Sequence, residues 1–311
     1  MKKILLLGST GFAGRNVAHI FKKNNIPFTA SSLSLGCDLR NINEAEALIK
    51  NSAPEIIVNC AAHVGSLNYV TKQAATVVMD NTRMLLNMYE AVAKHQPTAI
   101  IINPIANCAY PAKADTFKED QWWDGHLHRS VLSYGSTRRF MWSLGESFDM
   151  QFGIRSIHLL VPNMYGEFDS TNPDKAHALN ALISKFVKAE KENRKELEVW
   201  GTGIAIREWL YAADFAKIIV QIVNDANMIG LTEPVNIAQN FGLSVKELVQ
   251  IINQRFDNKF EIKWNHAMPD GAPKKVMDDA RFKKVFPAFK FTDFTNGITD
   301  TILYYQSIYP Y

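Results

Sequence analysis

No apolar run in the 311-residue sequence approaches the ~18 residues that a membrane-spanning helix needs, so no such span is expected. Cysteine is scarce. Cys37, Cys60 and Cys108 are odd in number and lack metal-ligand spacing, which speaks against a disulfide framework and a metal site. A reducing, cytoplasmic setting is the expectation. Neither sign of charge dominates: 34 Lys and Arg against 31 Asp and Glu leave +3. That balance predicts no nucleic-acid surface, yet suits an anionic small-molecule substrate. Low-complexity segments and short-period repeats are missing too. A secretory leader is not expected, because the apolar run Ile4–Leu7 meets glycine after four residues.

What the chain does have is a hydrophobic content of 47%, enough for one large α/β domain or two smaller ones. It is organised around its first stretch, MKKILLLGSTGFAG. Residues 4–7 read as a strand buried on both faces. Gly8, Gly11 and Gly14 follow, then a helix over 16–23 with Val17, Ile20 and Phe21 inward. Strand, glycine turn and helix in that order predict a dinucleotide pyrophosphate site. Strands are then expected at 27–31, 55–59, 99–102 and 155–161, and helices at 43–50, 80–95 (with Asp80 as cap) and from Tyr134 to about 151. This alternation implies a doubly wound, Rossmann-type parallel sheet. Residues 1–165 are read as the cofactor domain and 166–311 as a smaller α/β substrate domain, with 206–233 returning to the first. Within the latter, helices are expected at 178–193, 213–227 and 244–256, the last with Ser244 and Glu247 as a capping box, and short strands at 198–203 and 234–238.

Several positions invite chemistry. Ser31, Ser32 and Ser34 end the second strand, where an acid favours NAD and an arginine NADP. These serines decide neither. Asp38, beside Leu39, is placed as an adenine-edge acceptor or as a helix cap. Small Ala61 and Ala62 follow a strand end and let a flat ligand approach. NPIANCAYP carries polar residues out of the next strand, where open α/β sheets hold ligands. Tyr134 and Arg138, four apart, share one helix face.

Together these segments resemble the extended short-chain dehydrogenase/reductases, the NAD-dependent epimerase/dehydratase family, and within it the GDP-L-fucose synthase branch. The resemblance runs over nearly the whole chain. It rests on GSTGFAG, NCAAHVG, NCAYP, Tyr134 with Arg138, PNMYG, NPDKAHALNALISKF, VWGTGIAIREWLYAADFA and PDGAPKK. It implies that Gly8, Thr10, Gly11, Phe12, Gly14, Ser31, Ser32, Asp38, Leu39, Ala61 and Ala62 line the cofactor. Tyr134 would exchange a proton with the sugar oxygen as hydride moves to or from a nicotinamide. Cys108 and His177 match the residues that shuttle protons in epimerisation. Arg207 matches an arginine that grips a diphosphate, a role suited to its forked donors. Asn163, Lys185, Trp200 and Lys274 fall at nucleotide-sugar contacts.

The chain also departs from that pattern. The family's lysine after the tyrosine is Arg138 here, still cationic but larger and planar. A catalytic serine is replaced by Ala106, so Asn107, Ser133 or Thr137 must supply the missing donor, or turnover slows. Thr10 and Ser32 stand where arginines meet an NADP phosphate, which favours NAD(H) and leaves NADP(H) open. The expected activity is hydride transfer at C4 of a nucleotide-diphospho-sugar, a GDP-linked hexose or heptose first. The alternatives are an NADPH-using 3,5-epimerase/4-reductase and a non-catalytic sugar-nucleotide or dinucleotide sensor. A homodimer is expected through the helices 80–95 and 134–148.

Overall fold

The computed structural model describes the chain apart from residues 1, 115, 173, 174, 226, 227, 269 and 271 and the side chain of residue 229. Parts of NPDKAHALNALISKF and PDGAPKK, and the end of the helix expected over 213–227, lie outside the described residues. In chain order, β1 (Ile4–Leu7), α1 (Phe12–Lys23), β2 (Thr29–Ser31), α2 (Ile42–Ser52) and β3 (Ile56–Asn59) come first. Then follow α3 (Leu67–Lys72), α4 (Ala74–His95), β4 (Ile100–Ala106), α5 (Leu132–Phe152), β5 (Ser156–Val161) and β6 (Asn163–Tyr165). The remainder comprises α6 (Ala178–Lys191), β7 (Glu196–Trp200), β8 (Ile206–Tyr211), α7 (Ala212–Asn224), β9 (Val235–Asn236), β10 (Gly242–Ser244) and α8 (Val245–Gln254). β11 (Glu261–Asn265), β12 (Lys274–Lys275), α9 (Ala280–Val285) and α10 (Phe294–Ile308) complete it.

The main sheet runs β2-β1-β3-β4-β5-β9, all parallel. Its central strands β1 and β3 are short, made mainly of Ile, Leu and Val, and buried throughout, as a sheet covered on both faces requires, whereas β2 at the edge is largely exposed. One face carries α1 and α7, whose Val17, Phe21, Phe215 and Ile219 share a core with Leu6 and Val58. The other carries α2, α4 and α5, where Ile49, Leu85, Met88 and Met141 meet Leu5 and Ile57. A third core joins α6, α8 and α10 through Phe186, Ile252 and Ile302. Around it β8 pairs with β6, β10 and β12, and β7 with β11. More of the late chain returns to the first sheet than 206–233: β9 extends it, and Phe282 and Phe286 join its α1–α7 core.

Two expected elements change. The helix read over 80–95 starts at Ala74, and Asp80 does not cap it. Asp80 is buried inside α4, its carboxylate taken by His63 Nδ1 at 2.8 Å and Arg40 Nη1 at 3.0 Å. Asp38 is not a helix cap either; Asn41 caps α2, accepting from the Asn43 N–H. The Ser244–Glu247 capping box on α8 is present in full.

Candidate functional site

β1 lies between β2 and β3, so connections leave it in opposite directions and a crevice opens past its carboxyl end. The glycine turn fills that place. Gly8 has φ +67°, and a Cβ there would sit 2.6 Å from the Cys60 and Ala61 backbone. A Cβ on Gly14 would overlap the Gly8 carbonyl oxygen. Gly11 is the N-cap of α1 and no side chain caps that end, which leaves early helix N–H groups for an anionic ligand. A turn whose close packing only glycine permits, leading into a helix start that no side chain caps, is the backbone geometry that a dinucleotide pyrophosphate site requires.

The turn is anchored to β2 by Ser9, whose N–H and Oγ both donate to the Ser31 carbonyl, at 3.0 and 3.2 Å. Beyond it Thr10 Oγ1 lies 2.9 Å from Ser34 Oγ, and Ser34 Oγ 3.1 Å from Ser32 Oγ. Arg40 is fully engaged, at 2.8 Å on Asp38 and 3.0 Å on Asp80. Those bonds hold the Asp38 carboxyl below the usual carboxylate range and occupy both of its oxygens. Leu39 packs its side chain in the core, and its carbonyl accepts from Asn87 Nδ2. Ala61 and Ala62 follow the end of β3, half-buried.

α5 brings the next group. Gly135 packs against the Cys108 carbonyl, where a Cβ would sit 2.6 Å away. The helix thereby presses Tyr134 close to the turn after β4. The Arg138 guanidinium lies 4.8 Å from the centre of the Tyr134 ring. Burial raises the Tyr134 phenol above its ordinary range, and the Arg138 charge acts against that rise. Arg138 is 2% exposed. Its Nη2 donates to Asn81 Oδ1 at 2.9 Å, while its Nε, though buried, has no partner among the described residues. Asn81 is pinned in turn by donating to the His63 and Val77 carbonyls, both at 2.8 Å.

Of the three groups that could replace the hydroxyl missing at Ala106, two are committed. Ser133 Oγ donates to the Val70 carbonyl and Thr137 Oγ1 to the Tyr134 carbonyl. Asn107 differs: it is 4% exposed, and its Nδ2 has no partner among the described residues. Asn107 and Cys108 line a narrow cavity with His128, Ala272 and Lys275. Burial pushes the Cys108 thiol up to about 11 against the pull of Lys275 and Arg138. Burial likewise lowers the Lys275 ammonium below its ordinary range. Lys274, the residue expected at the sugar nucleotide, is exposed.

The remaining candidates spread over the third core's edge. Arg207 donates to the Asp270 carbonyl at 3.0 Å and the Ile206 carbonyl at 2.8 Å. Asn163 Nδ2 reaches the Glu208 carbonyl at 3.4 Å. Lys185 donates to the Glu198 carbonyl, and Trp200, 55% exposed, donates to the Glu198 carboxylate. His177 stands at the N-cap of α6 with its ring 4.9 Å from that of Phe12, the first residue of α1. It thereby comes beside the glycine turn from the far side of the chain.

Several groups escaped the sequence reading: Asn81 behind Arg138, Lys275 beside Cys108, Asp169 bonded to His177, and Glu208. Glu208 is 1% exposed, and burial pushes it up to about 7 although it accepts the Gln239 and Met277 N–H groups at 2.7 Å. Glu208 and Lys275 lie inside the quoted segments VWGTGIAIREWLYAADFA and PDGAPKK, but their roles, like those of Asn81 and Asp169, are set by partners elsewhere in the chain.

Known proteins resemble this chain in sequence and fold. The chain is 26% identical over 288 residues to a protein named probable GDP-L-fucose synthase 1 from Oryza sativa subsp. japonica, covering 91% of this chain and 86% of that one. It superposes on a GDP-L-fucose synthetase from Naegleria fowleri bound to NADP with TM-score 0.87 at 24% identity, covering 99% and 95%. It also superposes on a GDP-6-OMe-4-keto-L-xylo-heptose reductase from C. jejuni with TM-score 0.87 at 20% identity, covering 98% of both chains. Among the described residues, no helix is long and apolar enough to cross a membrane. Residues 4–238 match the NAD dependent epimerase/dehydratase family, and the chain belongs to it.

Proposed function

We propose that this protein is an oxidoreductase that moves a hydride at C4 of a GDP-linked sugar, hexose or heptose, using a nicotinamide dinucleotide. The observation that carries the reading is Tyr134 stacked on a buried Arg138 beside Cys108, on a sheet whose glycine turn fits a pyrophosphate. The dinucleotide supplies or accepts the hydride. Tyr134 exchanges the proton of the sugar oxygen, and the fixed charge of Arg138 stabilises its phenolate. Asn107 Nδ2 offers the donor that Ala106 lacks, a contact to a developing oxyanion worth ~3 kcal/mol. Arg207 grips the diphosphate, with Lys185, Trp200, Asn163 and a lysine of β12 around the nucleotide and sugar. Thr10, Ser32 and Ser34 offer hydroxyls but no cation at the ribose edge, which supports NAD(H) over NADP(H).

A second reading, a 3,5-epimerase/4-reductase, is favoured by Cys108 and by the hydrogen-bonded His177, an acid–base pair for the carbons flanking a keto group. One experiment separates them. GDP-4-keto-sugars are supplied in deuterated water with either reduced cofactor, and the products read by mass spectrometry. Hydride transfer without deuterium at C3 and C5 supports the simple reductase; deuterium there supports the epimerase. A Tyr134→Phe protein that binds both ligands and still turns over at the wild-type rate sinks both readings.

A further inference from the structure

The turn joining β6 to the start of α6 is held in a conformation its residues do not favour. Phe168 has φ +71°, a left-handed backbone that costs of order 1–3 kcal/mol for a bulky side chain. Four contacts hold it there. Asn16 of α1 donates to the Glu167 carbonyl at 2.9 Å, and Tyr211 of β8 donates to the Glu167 carboxylate at 2.7 Å. The Arg15 guanidinium lies 4.8 Å over the Phe168 ring, and His19 packs 5.6 Å from it. The residue this strained turn delivers is Asp169, 6% exposed.

Asp169 divides its two oxygens. Oδ2 accepts from the Asn180 amide and from the His177 backbone N–H, each at 2.8 Å. Oδ1 lies 3.1 Å from His177 Nδ1. Burial alone would raise this carboxyl, but the bonds from His177 and Asn180 hold it below the ordinary value. An ionised carboxylate accepts only, so Nδ1 must be the donor. The other ring nitrogen, Nε2, has no partner among the described residues, and a third of the side chain is exposed.

We propose that Asp169 is a positioning residue that fixes His177 in its Nδ1–H form, leaving the Nε2 lone pair as a base beside the cofactor turn. This rests on the epimerase reading of the site. In that step Nε2 takes the proton from a carbon next to the sugar's keto group. The C–H pair becomes the C=C bond of an enolate as the carbonyl π pair moves onto the keto oxygen; the π pair then returns and the carbon takes a proton from a second acid on the opposite face. The carboxylate stays ionised throughout and offsets the imidazolium charge that forms.

The test uses the full chain with ¹⁵N-labelled histidine, His177 being assigned by its loss in His177→Gln. At a pH where the ring is neutral, the expected wild-type spectrum shows the proton on Nδ1. Asp169→Asn, whose amide can donate to Nδ1, moves the proton to Nε2. It slows deuterium entry at C3 and C5 of a GDP-4-keto-sugar by about 10²-fold or more, the usual scale of acid–base catalysis. The KM for that sugar and hydride transfer to a substrate needing no epimerisation change little, and Asp169→Glu recovers part of the exchange. A wild-type ring protonated on Nε2 overturns the proposal, and that result stands even if Asp169→Asn fails to fold. So does an Asp169→Asn protein whose exchange, KM and hydride transfer fall together. A wild-type enzyme that transfers hydride without any deuterium entry removes the epimerase reading, while the tautomer alone still judges what Asp169 does.

Discussion

Replacing Arg138 by methionine keeps most of the side-chain volume and deletes its charge. The guanidinium is 4.8 Å from the centre of the Tyr134 ring. With the phenol oxygen roughly 6 Å away and an effective dielectric of about 20, the lost attraction for a phenolate is about 3 kcal/mol, roughly a hundredfold in the ionisation constant. The sign matters. When the enzyme oxidises the sugar, Tyr134 must be a phenolate to take the hydroxyl proton. At neutral pH the Arg138→Met rate therefore falls about 10²-fold, and the ascending limb of its pH profile moves up by about two, so the two enzymes converge in alkali. When it reduces the sugar, Tyr134 acts as a phenol, and raising its pKa removes none of the protonated form. The assay is kcat against pH in both directions, read on the nicotinamide absorbance at saturating cofactor. An equal loss in both directions with an unmoved pH profile would refute the electrostatic role and leave Arg138 as a cofactor contact.

Other perturbations test other parts of the site. Thr10→Arg supplies the cation that the hydroxyl group of three lacks, and should shift the ratio of dissociation constants towards NADPH by about tenfold, one charge-assisted contact to phosphate; an unchanged ratio places the 2′ edge elsewhere. Glu208→Gln turns an amide N–H towards a backbone donor that now meets a carboxylate oxygen, and should lower stability by about 1–3 kcal/mol in urea unfolding at constant m. A wild-type midpoint would show that Glu208 is protonated and dispensable as a double acceptor. Met79 on α4 and Met150 on α5 are exposed at 47% and 81%. Light scattering should give a two-chain mass for the wild type and a lighter one for Met79→Glu, whereas a monomeric wild type would end the dimer expectation.

What could be read from the sequence was whatever is set by neighbours in the chain. The β1 strand, its glycines and α1 follow one another within 23 residues, and each glycine is needed for contacts among them and the end of β3. The Ser244–Glu247 cap is likewise decided within four residues. The α4 start was misplaced because an acid before an apolar helical pattern is a good capping signal. Asp80 instead serves His63 and Arg40, partners 17 and 40 residues away, which the local pattern does not encode. Lys274 and Lys275 show the same limit at its smallest scale. Adjacent strand residues point to opposite faces, so pairing with β8 decides which lysine meets Cys108.

Two of the departures from the family pattern, Ala106 and Arg138, each have a neighbour that bears on them. Ala106 lacks a hydroxyl, and the next residue, Asn107, keeps a buried amide donor free beside it. Arg138 is longer than a lysine, and Asn81 takes up its far end while Nε remains available on the buried side. A buried donor without a partner costs about 1–3 kcal/mol, so these two, one beside Cys108 and one on the residue packed over Tyr134, are a cost to the isolated fold. They become favourable only when an acceptor arrives. A sugar oxygen at Asn107 and a ribose hydroxyl at Arg138 would satisfy both at once. An apolar residue at 107 is therefore expected to raise stability while lowering activity, and a variant that gains stability with activity intact would separate Asn107 from the chemistry.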